Sequence, residues 1–387
     1  MSMKDEIRKQ TMIRNEHKEL ADHRKGIRYM ENKVINQLHM KEMNLNEVLK
    51  IIREQGPLTR RRLQDLTGLS WGGISQIATR LLKQNLIIEE KDMTQTAGRK
   101  PTCLKINGQQ NLILGIDINS SGITAVVQNL KNEILEQLSG PADCTSKENL
   151  LESVYRLTDE LYQKYKDRMI LALGISMQSA VDEEKGMSLY LKECPDWKEV
   201  PLCEIFTERY RIPAYLAHDP DCLVASNVSM FGEEVILLRV DYGIGMSVFK
   251  NSDFIKAPGM LEIGNTLIRT DERSIKPLND VATILAIEKK TGRGIQEITK
   301  DIPGNAQIIQ KAADHLAMAL ANAAILFDIQ TILLSGKLIE QSPPFLAELE
   351  EKLKIYLSEG TKIFRYDEKR AAAGAAWIAA ERLLTTI

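Results

Sequence analysis

The sequence predicts a winged helix-turn-helix of the α+β type near its start, followed by a larger α/β body. Three observations carry that expectation. Residues 44–105 hold three stretches of helical apolar spacing, divided by a Gly-Pro stop and a Thr-Gly turn, and then two short strand patterns. From Gln110 onward, buried-strand patterns alternate with helical ones. Charge is also unevenly divided: residues 1–105 hold 21 Lys/Arg against 13 Asp/Glu, leaving 30 against 40 of the chain's 51 basic and 53 acidic residues for the remainder. A net charge of −2 therefore hides a front of +8 and a back of −10, the pattern of a nucleic-acid-binding module joined to a different kind of domain.

The 387 residues suffice for two to three domains. With 43% hydrophobic and 27% charged residues, most of the chain can build a core, which excludes disorder as its general state. No run of eighteen apolar residues predicts a membrane helix. The charged start MSMKDEIRKQ is not followed by an apolar stretch, so no signal peptide is expected. Cysteines at 103, 144, 194, 203 and 222 form no C-x-x-C pair. That argues against a disulfide framework or a cysteine zinc site and fits a reducing cytoplasm without a membrane partner.

Residues 1–43 are read as an N-terminal arm, polar and free of Pro. A helix and a partly disordered tail are both compatible with it. Residues 44–106 form the DNA-binding domain. Leu45, Val48, Leu49, Ile51 and Ile52 recur at helical spacing until Gly56-Pro57 stops them. Thr59 stands at an N-cap position before a short helix through Leu66, and Thr67-Gly68-Leu69 makes the turn. Ser70 caps the next helix, which runs to about Gln84 with Ile74, Ile77, Leu81 and Leu82 on one face. Leu86-Ile87-Ile88 and Thr102 to Ile106 are the two strands of the wing.

The body is read from 107 to 387. Leu112 to Ile118 and Ile123 to Val127 form a strand pair, 148–166 a helix, and Ile170 to Ile175 a strand. Ala214 to Ala217, Val235 to Val240 and Ile332 to Leu334 are further strands, and 278–290, 305–327 and 344–357 further helices. Two similar α/β halves are compatible with this order.

The second helix of a helix-turn-helix enters the major groove. Its first turns here offer Ser70, Trp71, Ser75, Gln76, Thr79 and Arg80. Gln pairs bidentately with adenine, and Arg pairs with guanine or reaches phosphate. Gly72 and Gly73 cost roughly 1 kcal/mol each in helix propensity. They either bring the helix close to the bases or relieve packing at the turn. Arg60, Arg61 and Arg62 open the preceding helix, for phosphate contact or as a solvated basic face. Arg99 and Lys100, in Gly98-Arg99-Lys100-Pro101, suit a wing entering a narrow minor groove, with a plain linker as the alternative.

The string LTRRRLQDLTGLSWGGISQIATRLLKQNLIIEE, followed by TAGRKPTCLKIN, resembles the front of ROK family transcriptional regulators (repressors, open reading frames, kinases) of the xylose- and N-acetylglucosamine-repressor type. LGIDINSSGITAVV, LALGISMQSAVD, IPAYLAHDPDCLVASN, VDYGIGMSV, APGMLEIGN, ILLSGKL and AAAGAAWIAAERLL extend the resemblance over nearly the whole chain. The resemblance implies an actin-like, sugar-kinase-like (ribonuclease H-like) body of two lobes with a cleft between them. Lobe 1 would cover about 107–224 plus the C-terminal helix, and lobe 2 about 225–374.

In kinase members the cleft binds a sugar and ATP, and here the family's motifs are altered. The first phosphate loop, Gly-Gly-Thr after the first-strand Asp, is replaced by Asn119-Ser120-Ser121-Gly122 after Asp117-Ile118. The second, G-T-G-x-G-G-G, is Asp241-Tyr242-Gly243-Ile244-Gly245-Met246-Ser247, where a carboxylate repels phosphate and side chains block close approach. The sugar segment Glu-Asn-Asp-Ala-Asn becomes Ala217-His218-Asp219-Pro220-Asp221, keeping Asp219 at the position of the kinase base. Of Pro-Gly-Pro-Val-Asp, only Val181 and Asp182 persist after Gln178-Ser179-Ala180.

Glu262 matches a family sugar ligand, whereas Asn265 replaces the His that touches sugar and binds zinc. The Cys partners of that His are missing, because no Cys follows Cys222. The expectation is therefore a regulator without metal or other cofactor and without a catalytic residue. A homodimer or higher oligomer would bind a double-stranded DNA operator through its winged helices, as a repressor of carbohydrate-related genes. A carbohydrate effector would be held by His218, Asp219, Glu262 and Asn265 and would change the spacing of the paired modules. Two alternatives stay open: a sugar kinase with an attached DNA-binding domain, and a regulator whose large domain docks a partner protein.

Overall fold

A computed structural model describes residues 40–91, 101–232, 234–251, 253–256, 262–271, 274–298, 302–366 and 370–385. Contacts divide the chain after Asn107, with a body spanning Gly108–Leu383. Among the described residues, no helix is long and apolar enough to cross a membrane.

In the front unit, helix α1 covers 40–55 and buries Leu45, Val48, Leu49 and Ile52 along one stripe. The boundary expected between 43 and 44 falls inside this helix. The apolar stripe begins at Leu45, so reading the stripe alone starts the helix too late; the arm before residue 40 lies outside the described residues. Strand β1 (Leu58–Thr59) leads into α2 (Arg60–Thr67), whose first turn is capped by the Thr59 hydroxyl accepting from Arg62 N at 3.1 Å. Gly68, at φ 70°, ends it in the left-handed conformation that favours glycine. Helix α3 (Trp71–Lys83) starts on Ser70, whose Oγ accepts from Gly73 N at 3.2 Å, and buries Ile74, Ala78 and Leu81.

Strands β2 (Ile87–Lys91) and β3 (Thr102–Ile106) pair antiparallel from Ile87↔Ile106 to Lys91↔Thr102. Leu86 belongs to the preceding turn, its N–H donating to Leu81 O at 3.0 Å. The wing is a three-stranded sheet, because Leu58↔Leu104 and Thr59↔Cys103 add β1 to the edge of the expected hairpin. Two residues ahead of a helix carry no periodicity from which a strand is read. Arg99 and Lys100 lie outside the described residues.

In the body, β4 (Asn111–Asn119), β5 (Gly122–Asn129) and β6 (Ile134–Gly140) form an antiparallel meander. Helix α4 (Lys147–Lys164) leads to β7 (Met169–Met177), parallel to β4. A small sheet of β8 (Val181–Asp182), β9 (Met187–Leu191) and β10 (Cys194–Val200) follows. Then α5 (Leu202–Tyr210) returns to β11 (Ala214–His218), parallel to β7. Helices α6 (Asp219–Ala225) and α7 (Val228–Phe231) open the second half.

There β12 (Glu234–Val240), β13 (Ile244–Lys250) and β14 (Asp253–Phe254) form the second meander. A hairpin of β15 (Leu267–Asp271) and β16 (Ser274–Pro277) and the helices α8 (Asn279–Ala282), α9 (Ile284–Thr291), α10 (Ile295–Ile298) and α11 (Ile302–Phe327) come next. Strand β17 (Thr331–Ser335), helices α12 (Lys337–Gln341) and α13 (Pro343–Tyr356), strand β18 (Lys362–Arg365) and helix α14 (Ala371–Leu384) complete the chain. The sheet orders are β11-β7-β4-β5-β6 and β14-β13-β12-β17-β18. Each sheet is a meander extended beyond its first strand by two successive parallel strands reached through helices, so the two halves share one topology.

The helix read at 278–290 is two helices. Thr283 between them is extended, and its hydroxyl caps α9 by accepting from Ala286 N at 3.1 Å. Strand β10 escapes a period-two reading because its register shifts between Cys194 and Lys198, leaving Cys194, Trp197 and Val200 buried at intervals of three. Helix α14 packs on the first sheet through glycines: a Cβ at Gly115 of β4 or Gly174 of β7 would collide with the carbonyls of Ala372 or Ala375. Gly374 gives the same closeness to the Cys222 carbonyl of α6. The alanine-rich helix thus lies on backbone, with no side chain between.

Candidate functional site

Helix α3 presents Trp71, Gly72, Gln76, Thr79 and Arg80 on its exposed side, and Trp71 is 54% exposed. No Asp or Glu occurs in 71–83. Ser75 is half-buried, its carbonyl accepting from Thr79 Oγ1 at 2.8 Å, and Ser70 is engaged as the cap. Of the arginines opening α2, Arg61 and Arg62 are exposed, whereas Arg60 donates to Glu89 of β2 at 2.7 Å. That pair ties α2 to the wing.

In the body, a cavity of about 280 Å³ is bordered by Gln178, Ser179, His218, Asp219, Arg239, Asp241, Tyr242, Gly243, Gly245, Glu262 and Asn279, among others. Strand β11 ends at His218 and α6 begins at Asp219, so the strand-to-helix junction places both at the cleft. Asp219 is 3% exposed and forms an ion pair with Arg239, which stands near the end of β12. Arg239 Nε also donates to Asp241 Oδ2 at 2.9 Å. Asp241 Oδ1 in turn accepts from Lys337 N at 2.7 Å, and its carbonyl accepts from Ile284 N at 3.0 Å. One buried cation is therefore shared by two buried carboxylates, and Asp241 anchors the starts of α12 and α9.

Sequence reasoning missed Arg239. Its only signal was a lone cation inside the apolar run VILLRV. Chemically, the clamp engages the Asp219 carboxylate with a guanidinium at contact distance. It also places the Asp241 carboxylate on the same guanidinium and on Lys337 N. The first loop is closed in a similar way. Asn119 Oδ1 accepts from Ser121 N at 2.9 Å, and Gln178 Oε1 accepts from Ser120 N at 3.2 Å.

A second chain of charges runs beside the first. Glu183 accepts from Lys256 at 2.8 Å and from Arg382 of α14 at 2.5 Å, while Lys256 also pairs with Asp221 of α6. Burial alone would raise the Glu183 pKa, but Lys256 and Arg382 outweigh it and hold the carboxyl below its usual range. His218 Nε2 lies 3.3 Å from Asp219 Oδ1, a contact that favours the imidazolium. Burial nevertheless lowers its pKa to about 4, against the pull of Asp221 and Glu183. Burial prevails with the help of the Lys256 and Arg239 charges, so His218 is neutral near pH 7.

Glu262 borders the cleft, and burial raises its carboxyl pKa. Asn265 is exposed, and its Oδ1 accepts from the lining residue Asn279 at 3.4 Å. The structure thus brings His218, Asp219 and Glu262 together and adds Arg239, Asp241 and Asn279, while Asn265 acts at one remove. A larger open hollow of about 1090 Å³ lies on the first lobe beside Asp143, Glu152 and Arg156, and among the described residues Glu193 alone borders both spaces. The smaller cavity gathers the motif residues and is the candidate site.

Two outcomes follow from these charges. Arg239→Met strands two buried carboxylates and lowers unfolding stability by about 3–5 kcal/mol, most of it recovered when Asp219→Asn and Asp241→Asn are added; an unchanged urea midpoint contradicts the clamp. For His218, the folded pKa of about 4 lies below the ordinary 6.5. The unfolded chain therefore takes up the proton first, and the contribution is complete above pH 6.5 and declines as pH falls toward 4. Up to about 3 kcal/mol is involved, and His218→Gln flattens the stability profile in that window; equal acid sensitivity of the two proteins argues against a buried neutral imidazole.

Residues 113–382 match the ROK family. A xylose repressor of Caldicellulosiruptor bescii is 24% identical over 356 residues, covering 82% of this chain and 88% of that protein. Among solved structures, a ROK family transcriptional regulator described as a homologue of the Escherichia coli MLC protein superposes with a TM-score of 0.73 at 20% identity, covering 90% of this chain and 97% of that one. A ROK hexokinase from Thermus thermophilus superposes with a TM-score of 0.61 at 18% identity, covering 69% of this chain and 97% of the enzyme. With a two-lobed body of repeated topology, a cleft at the β11–α6 junction and a family match over most of its length, this chain belongs to the ROK family.

Proposed function

We propose that the protein is a sequence-specific DNA-binding transcriptional regulator, a repressor of carbohydrate-related genes, whose body binds a sugar-like effector without phosphorylating it. The observation that carries the reading is α3, a capped helix free of acidic residues that presents Trp71, Gln76 and Arg80 outward beside Arg61 and Arg62. The repressor name of the C. bescii relative supports it. The partner is double-stranded DNA, read by a homodimer at a pseudo-palindromic operator in the cytoplasm. The effector is a polyol that binds one of two protein states more tightly and so shifts DNA affinity. The reading includes no structural zinc, because no Cys follows Cys222 to partner the position of Asn265.

Asp219 at the kinase base position and the likeness to a hexokinase fold favour a second reading, a sugar kinase with an attached DNA-binding domain. The Arg239 clamp weighs against it, because a base must be able to accept a proton.

The test is binding of the purified protein to DNA upstream of its own gene, with and without neutral sugars. A sequence-specific complex weakened by at least one sugar is expected, and the absence of any sequence-specific complex there or at neighbouring promoters defeats the reading. Arg61→Ala is expected to weaken all duplexes similarly and reduce the salt slope by about 1, whereas Gln76→Ala costs about 1–3 kcal/mol on the preferred site and relaxes one base position. Fluorescence anisotropy across a salt series measures both. If neither variant differs from wild type, α3 is not the reading helix.

A further inference from the structure

We propose that Gly72 is the point of closest approach between this protein and duplex DNA, and that its missing side chain determines sequence specificity. The inference rests on the DNA-binding reading above and assigns a role that the chain's own packing leaves unexplained.

A glycine inside a helix lowers helix propensity, so a reason for it is to be sought. Three reasons internal to the chain fail at Gly72. Positive φ is one: it holds at Gly68, which ends α2, but neither Gly72 nor Gly73 is among the positive-φ residues. Crowding is another, and it explains Gly115 and Gly174 under α14. At Gly72, by contrast, an added Cβ meets no atom within 4 Å, and at Gly73 it meets only Ser70 Oγ at 3.4 Å, an ordinary contact. Capping is the third: Ser70 accepts from the backbone N–H of Gly73, a group that every residue except proline supplies. The empty space also removes the packing-relief explanation for Gly72.

The reason then lies outside the chain, and the neighbouring chemistry indicates the partner. Gly72 and Gln76 are four residues apart and share the outer face of α3, opposite the buried Ile74, Ala78 and Leu81. Trp71 beside it is 54% exposed. An aromatic ring, a carboxamide and cations, with no carboxylate in 71–83, complement a polyanion that displays hydrogen-bonding base edges. A methyl at Gly72 stands about 1.5 Å off the backbone, and a rigid helix displaced by that amount loses hydrogen bonds that tolerate only about 2.7–3.2 Å. Long basic side chains follow such a shift and keep their phosphates, whereas the short Gln76 amide loses its base. Gly72 therefore governs preference more than overall affinity.

The experiment uses the full chain with Gly72→Ala and Gly73→Ala, the second giving the same helix-propensity gain at a half-buried neighbour beside the Ser70 cap. The probes are the duplex that wild-type protein selects from a randomised library and a shuffled version of it. Both variants are expected to melt at or above the wild-type temperature. Gly72→Ala is expected to bind the selected duplex at least about tenfold more weakly and the shuffled duplex within about threefold of wild type, while Gly73→Ala stays within about threefold on both.

Wild-type affinity of Gly72→Ala for the selected duplex, or an equal loss on both duplexes, overturns the inference. If the wild type selects no duplex, the DNA-binding reading itself fails and the inference falls with it. Should Gly72→Ala melt below wild type, Gly72→Ser replaces it under the same criteria.

Discussion

A single buried guanidinium sets the chemistry of the cleft. Arg239 sits between Asp219 and Asp241, and each carboxylate anchors a different part of the body: Asp219 begins α6, and Asp241 holds the starts of α9 and α12. Placing charges where water is largely excluded is costly unless each is matched, and one cation cannot fully satisfy two anions. Part of the remaining demand is met by a backbone donor, Lys337 N on Asp241. The arrangement turns on Arg239, whose removal leaves both carboxylates uncompensated.

That arrangement bears on function because its members occupy the positions where phosphoryl transfer needs free groups. A fold shared with hexokinases is compatible with many uses, and the site decides among them. Here the carboxylate at the base position is neutralised, and the glycine-rich loop carries its own anion in Asp241. Loop N–H groups at Ser120 and Ser121 are bonded within the chain. What remains is a cavity rimmed by Gln178, Ser179, Tyr242, Glu262 and Asn279, a mix of donors and acceptors suited to hydroxyl groups. The contacts of α14 with Gly115 and Gly174 supply a rigid first lobe behind it, and Arg382 of the same helix extends the ion-pair chain through Glu183 to Lys256.

Much of this was legible in the residues. Thr59 and Ser70 announce their helices because a capping hydroxyl acts locally, and the buried runs of β4, β7, β12 and β17 stand out by hydrophobicity. Landmarks such as AHDPD place Asp219 and His218 at the cleft. Features that depend on tertiary partners were not legible. Arg239 lies twenty positions from Asp219, and only the docking of α6 against β12 brings them together. The pairing of Arg60 with Glu89 depends on the wing folding back, and the contact of Asn265 with Asn279 depends on the turn at Ile263. Thr283 as a break between helices was hidden by apolar residues that continue the helical spacing on both sides. Gly72 is the reverse case, since its anomaly is visible in the sequence and its meaning appears only once the structure shows the space around it to be empty.

The most direct measurement is sugar-dependent ATP consumption by the purified wild-type protein across hexoses, pentoses and amino sugars. A cleft whose base position is neutralised by Arg239 predicts no ADP release above the sugar-free background with any of them. Sustained turnover on one sugar, abolished by Asp219→Asn, would contradict the account and identify the body as a working kinase.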